Sequence, residues 1–187
     1  MPFDELMNNP FSYLLSRGGL TYYGGFIGAI ILFIIVVRKA KESSWKVLDA
    51  SAPALALAYS VGRIGCFLVG DDYGVKSDLP WAVAFPEGSP PTFDKVHPTQ
   101  VYEVAIMFLV FLFLWKIRKK NRQAGWLFSI YLVLSGTERF FIEFIRTTTE
   151  SPIPGISIAQ VTAIILIFIG ILKYINLKKE YKNLSPT

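Results

Sequence analysis

Long apolar runs separated by short polar connections dominate the chain. Five stretches, Leu20–Val37, Val47–Val69, Thr99–Trp115, Trp126–Ile145 and Ile156–Ile175, are continuously apolar rather than alternating. Each can form a helix that crosses a hydrocarbon core of about 30 Å at 1.5 Å per residue. A β-barrel is disfavoured, because its strands would alternate. The pattern predicts an all-α, polytopic integral membrane helical bundle of about five transmembrane helices, one membrane domain over residues 1–187. Met1–Arg17 lacks the basic opening of a secretory signal and reads as an interfacial segment. Residues 176–187 read as a polar tail.

Composition fits this class: 52% of residues are hydrophobic and 18% charged, with a mean hydropathy of +0.43. Charge then orients the bundle. Arg38, Lys39, Lys41 and Lys46 follow the first stretch, Lys116, Arg118, Lys119, Lys120 and Arg122 the third, and Lys173, Lys178, Lys179 and Lys182 close the chain. The long connection after the second stretch carries Asp71, Asp72, Asp78, Glu87 and Asp94 against Lys76 and Lys95. The positive-inside rule makes the basic loops cytoplasmic, with the N-terminus outside and the C-terminus inside. The net charge of +5 is then mostly anchoring to anionic headgroups, not a nucleic-acid surface. Cys66 is the only cysteine, so no disulfide forms within the chain.

The fourth stretch breaks its own pattern with Glu138, Arg139, Glu143 and Arg146. A charge at mid-bilayer costs roughly 2.5–3.5 kcal/mol on insertion scales. Arg139, Glu143 and Arg146 fall at i, i+4 and i+7, so a continuous helix would hold them on one face and let them partly neutralise each other. That face must meet protein or trapped water, as a structural ion pair between helices or as a site. Other stretches carry polar groups in the same outer half: Arg63 and Gly65 in the second, and His97, Gln100 and Glu103 at the start of the third. Arg63 sits about seven residues from the end of its stretch, roughly 10 Å deep. Arginines gathered in a small volume need acids or a bound anion, and a bilayer supplies phosphodiesters that guanidinium groups grip bidentately. A phospholipid headgroup site follows as the favoured expectation. A transporter would need polar groups through the full thickness, and Ile30–Val37 and Phe108–Trp115 lack them.

Several residues keep two readings. Gly24 and Gly28 have the spacing that lets membrane helices approach closely, while the doublets Gly18-Gly19 and Gly24-Gly25 could expose backbone N–H groups to an anion. His97, the sole histidine, precedes Pro98 as a loop residue or a base with a reference pKa near 6.5. Cys66 is a small apolar helix residue or, in a minority reading, a nucleophile.

Three stretches together resemble the prolipoprotein diacylglyceryl transferase family. They are Gly62-Arg63-Ile64-Gly65-Cys66-Phe67 with Gly70 and Gly74, His97-Pro98-Thr99-Gln100-Val101-Tyr102-Glu103, and Gly136-x-x-Arg139-Phe140-x-x-Glu143-Phe144-x-Arg146. Gly18-Gly19-Leu20-Thr21-Tyr22-Tyr23-Gly24-Gly25 is similar to a fourth element of that family, more loosely. The family carries histidine where Tyr23 stands, asparagine where Cys66 and Val69 stand, and glutamate where Asp71 stands. The resemblance implies a multi-pass enzyme of the bacterial cytoplasmic membrane. It would move the diacylglyceryl group of phosphatidylglycerol, or another anionic phospholipid, to a cysteine thiol of a lipobox-containing precursor, without metal or soluble cofactor. By position, Arg63 and Arg139 would hold the phosphate, with Arg146 beside them. Glu143 would orient Arg139, and His97 with Gln100 would line the site. Tyr23, Gly65, Asp71 and Glu103 complete the expected substrate-binding set. A non-catalytic phospholipid-binding protein of the same family is the alternative.

Overall fold

The computed structural model describes residues 17–120, 122–146 and 156–184, and gives the backbone alone for 17–27, 40 and 181–184. Five helices form over the five apolar stretches: α1 (Arg17–Ala40), α2 (Ser44–Val69), α3 (Thr99–Ile117), α4 (Trp126–Ile142) and α5 (Ile158–Leu184). The chain divides into two compact units, Met1–Val47 and Leu48–Thr187. The first carries α1 and the beginning of α2; everything described below lies in the second.

The helical membrane bundle is as the pattern predicts, but the span count is not. Among the described residues three helices are long and apolar enough to cross a membrane: Ser44–Val69, Thr99–Ile117 and Ile158–Glu180. α4 has 17 residues, about 26 Å at helical rise, at the short end of the lengths that cross a hydrocarbon core of about 30 Å. It stops at Ile142, not Ile145. Phe144 N–H and Ile145 N–H turn back to the carbonyls of Phe141 (3.2 Å) and Ile142 (3.1 Å), tightening the chain out of the helix. The side chains of the first eleven residues of α1, Tyr23 and Gly24 included, lie outside the described residues.

Small residues set the helix contacts. Ala52, Ala56 and Ser60 are buried on one face of α2, and Ser60 Oγ donates to Val104 O of α3 at 3.0 Å. Around them Met107, Val110, Leu114 and Leu127 close a core shared by α2, α3 and α4. Gly136 of α4 faces Ala163 O and Ile167 of α5, so a Cβ there would stand 2.9 Å from that carbonyl. α4 begins at Gly125, whose φ of 96° suits glycine. Asp49 of α2 caps it, accepting from Gly125 N–H and Phe128 N–H at 2.7 Å each. The outward faces stay apolar, with Leu109, Phe113 and Phe168 exposed where lipid would cover them.

The long connection is not a simple loop. Val83–Phe85 (β1) and Thr92–Val96 (β2) pair antiparallel, with Val83 opposite Val96. Phe67, Tyr73, Phe85 and Val96 pack as its small core, Tyr73 stacked on Phe85 at 5.6 Å. Gly74–Lys76 is threaded between two partners. Gly74 N–H donates to His97 O (2.8 Å), His97 N–H to Val75 O (3.0 Å) and Val75 N–H to Ile145 O (2.9 Å). This ladder ties the end of α2, the start of α3 and the exit from α4 to one point. Gly74 is required there, because a Cβ would stand 2.8 Å from His97 Cβ and from Thr99 Cγ2 and would strike Ile145 O.

Candidate functional site: an arginine–carboxylate cluster

Arg63 is the hub. It lies on the last two turns of α2, where its guanidinium pairs through Nη1 with Asp72 (2.8 Å) and through Nε with Glu103 of α3. Its Nη2 donates to Tyr59 OH at 3.3 Å, and Tyr59 OH donates to Glu103 Oε2 at 2.7 Å. Tyr59, one turn before Arg63, therefore closes a triangle that fixes the guanidinium. Glu103 is fully buried, which is tolerable only because both partners reach it.

Asp72 is the bridge. It follows α2 and the left-handed Gly70 (φ 71°), and itself has a φ of 60°. Its second oxygen pairs with Arg146 Nη2. Thr99 Oγ1 and Gln100 Nε2 hold the carbonyls of Asp72 (2.7 Å) and Asp71 (2.5 Å), so α3 pins this turn from below. Arg146 reaches Asp72 because the chain has left α4. Its backbone bridges to Gly74. The expected single helical face of Arg139, Glu143 and Arg146 is thus half right. Arg139 Nη2 and Glu143 Oε2 pair at 3.1 Å across the end of α4, while Arg146 turns toward Arg63. The competing ladder to Val75 is the physical reason.

The cluster retains unmet polar demand. Buried atoms without a hydrogen-bond partner include Asp71 Oδ1, Gln100 Oε1, Glu103 Oε1, Glu138 Oε1, Arg139 Nη1 and Arg146 Nε. Burial, helped by the charge of Arg63, pushes Arg146 below its ordinary value, and it stays cationic. Glu103 feels the charge of Arg139 as well as Arg63, so the two arginines act on one volume. Gly65 leaves open space, since a Cβ there would meet nothing within 4 Å.

His97 stands apart. Its ring Nδ1 lies 3.3 Å from Tyr102 OH, which also accepts from Trp81 Nε1 at 2.6 Å. Its backbone belongs to the ladder that holds the cluster together, but its ring partners are aromatic residues, not the arginines. Tyr59 and Asp72 are the members that sequence reasoning passed over. Tyr59 had a signal, its i−4 spacing from Arg63; Asp72 looked like one more loop acid. Cys66 Sγ, a 3.7 Å contact of Arg63 Nη1, forms with Asp71 and Asp72 a group of metal-type donors within 4.8 Å of one another. Asp72 already serves two guanidinium groups, so arginine occupies the place a cation would take.

Fold and site define a helical integral membrane protein whose bundle encloses a buried arginine–carboxylate cluster. Comparison with known proteins makes the class specific. The prolipoprotein diacylglyceryl transferase family matches residues 6–176, and the chain belongs to that family. The phosphatidylglycerol–prolipoprotein diacylglyceryl transferase of Finegoldia magna is 37% identical over 166 residues, 87% of this chain and 63% of that protein. The like-named protein of Actinobacillus pleuropneumoniae serotype 3 is 37% identical over 147 residues, 77% of this chain and 54% of its own length. That of Clostridium tetani is 34% identical over 169 residues, 89% of this chain and 68% of its own. The chain thus spans about half to two thirds of the length of these relatives.

Proposed function

We propose that this protein transfers the diacylglyceryl group of phosphatidylglycerol to a cysteine thiol of a lipobox-containing precursor. The reaction would take place at the outer leaflet of a bacterial cytoplasmic membrane, with the N-terminus outside and the C-terminus in the cytoplasm. The observation that carries this reading is the convergence of Arg63, Arg139 and Arg146 from separate segments on one volume with unmet hydrogen-bonding capacity. Family membership supplies the reaction class, and its relatives' names supply the lipid and the protein substrate.

In this reading the thiol sulfur attacks the glyceryl carbon that bears the phosphate ester. The C–S bond forms as the C–O bond breaks, and glycerol phosphate leaves with the electron pair. The arginines balance the charge that grows on the departing phosphate, commonly the largest catalytic contribution. Glu103, Tyr59 and Asp72 hold Arg63 in place, and Glu143 orients Arg139. Gln100 and Asp71 shape the rim, and Gly65 leaves room for the lipid. His97 takes the thiol proton. In the tautomer with Nδ1–H directed at Tyr102 OH, Nε2 is left as the basic lone pair. A free thiol with a pKa near 8.5 is a few per cent ionised at pH 7, so such a base has work to do.

The test is mass spectrometry of products after mixing the purified protein with phosphatidylglycerol and a lipobox peptide. The expected product is a peptide heavier by one diacylglyceryl group, with glycerol phosphate released in equal amount. An unmodified peptide beside retained lipid would overturn the transfer reading.

A further inference from the structure

The acids of the cluster outnumber its arginines. Asp72, Glu103 and Glu143 pair directly with Arg63, Arg139 and Arg146. Asp71 and Glu138 are left over, and of the two the buried one is Glu138. It is 6% exposed, its Oε1 is sealed without a hydrogen-bond partner, and no ion pair among the described residues includes it. The groups around it are defined: Glu103 on α3, Arg63 and Tyr59 on α2, and Arg139 and Tyr131 on α4 itself. On the other side of α4, where α5 packs, Gly136 meets Ala163 and Ile167, which do not titrate. Glu143 and Arg146 lie beyond the helix end, and Asp71, Asp72 and Cys66 at the close of α2.

Three acids and three arginines, joined by four ion pairs, balance before Asp71 and Glu138 are counted. A phosphate ester entering the cluster brings at least one negative charge. An ionised Glu138, itself buried, would add a second, and both would draw on the same arginines. Like charges in such a place cannot both persist at low cost.

We infer that phosphate binding at this site is coupled to proton uptake by Glu138, whose neutral acid favours the bound anion and whose ionised form weakens its binding. This rests on the phosphate reading of the cluster and deepens it. Glu138 is a positioning residue that sets the charge of the site; it does not react. The ligand chemistry is a phosphate ester, either a lipid headgroup or a free ester such as glycerol phosphate. Because the bound anion favours the protonated acid, affinity is highest below the pH at which Glu138 of the free protein ionises. Above it, affinity falls by up to about tenfold per pH unit until the acid ionises in the complex as well.

The full chain, in phosphatidylcholine–detergent micelles, is titrated from pH 6 to 10 with short-chain phosphatidylglycerol and, separately, with glycerol phosphate. Both titrations use a Cys66→Ser background, so that the thiol contributes no charge. The parent is expected to lose affinity by tenfold or more across the range, and Glu138→Gln, which is always neutral, by less than about threefold. The difference between the two proteins cancels the ligands' own ionisation. Loss in the lipid arm alone supports a headgroup ligand, and loss in both arms supports phosphate esters in general. An indicator dye should also report proton uptake, up to about one per ligand bound by the parent, a reading that stands even if the variant does not fold. Equal pH slopes in the two proteins, or no proton taken up at any pH, overturn the coupling while leaving the phosphate site intact. Binding of neither ligand at any pH overturns both.

Discussion

Asp72→Asn isolates the bridge between Arg63 and Arg146. Asparagine tolerates the positive φ of 60° at this position, so the change removes charge and keeps the turn. The guanidinium-bearing side chains of Arg63 and Arg146 are 12% and 10% exposed, and that of Asp72 is 39% exposed. Breaking a fully buried pair costs about 3–5 kcal/mol, whereas an exposed pair is worth about 0–1 kcal/mol. One partly exposed acid serving two buried cations falls between these limits, at about 2 kcal/mol. For a chain of this size that corresponds to a fall in Tm of about 4–8 °C. Thermal unfolding in detergent should be measured for the parent, Asp72→Asn, Arg146→Gln and the double variant. The double variant should lose less than the sum, because Arg146→Gln removes one of the cations stranded by Asp72→Asn. Strict additivity, within about 0.5 kcal/mol, would refute the bridge. Turnover should fall at least about tenfold in Asp72→Asn, since the spacing of the two guanidinium groups is no longer held.

Arg63→Ala or Arg139→Ala should abolish turnover and retention of anionic lipid on copurification. Arg139→Lys should restore little, because an ammonium cannot make the planar fork; full activity in both alanine variants would remove the phosphate assignment. His97→Gln should lower turnover by about 10²–10⁴-fold with lipid retention unchanged, and Tyr23→Phe less; activity indifferent to His97→Gln would pass the proton to another acceptor. Asp49→Ala should lower Tm in the same assay by an amount equivalent to about 1–2 kcal/mol, since two N–H groups at the start of α4 lose their cap; an unchanged Tm would mean solvent caps them equally well. On a Cys66→Ser background, Ser89→Cys should label from outside and Ser43→Cys only after permeabilisation, and the reverse pattern would overturn the orientation.

The sequence by itself determined the helical membrane class, because burying a continuous apolar run in lipid requires every backbone group to be satisfied within its own segment. It also marked Arg63 and Arg139 as residues that need partners, since such charges do not persist in apolar runs without them. Partners one or two turns apart were equally legible, and the Arg139–Glu143 pair was read from spacing alone. Tertiary structure decided what spacing cannot express. Whether α4 runs on to Ile145 or stops at Ile142 depends on a ladder with Val75, some seventy residues earlier. That early exit sends Arg146 to Asp72 instead of leaving it on the face of Arg139. The ribbon of Val83–Phe85 and Thr92–Val96 was hidden because its core, Phe67, Tyr73, Phe85 and Val96, is assembled from residues too far apart to show a period. The role of Asp72 was hidden for the same reason. A loop carboxylate becomes the bridge of a site only when the fold brings two arginines to its two oxygens.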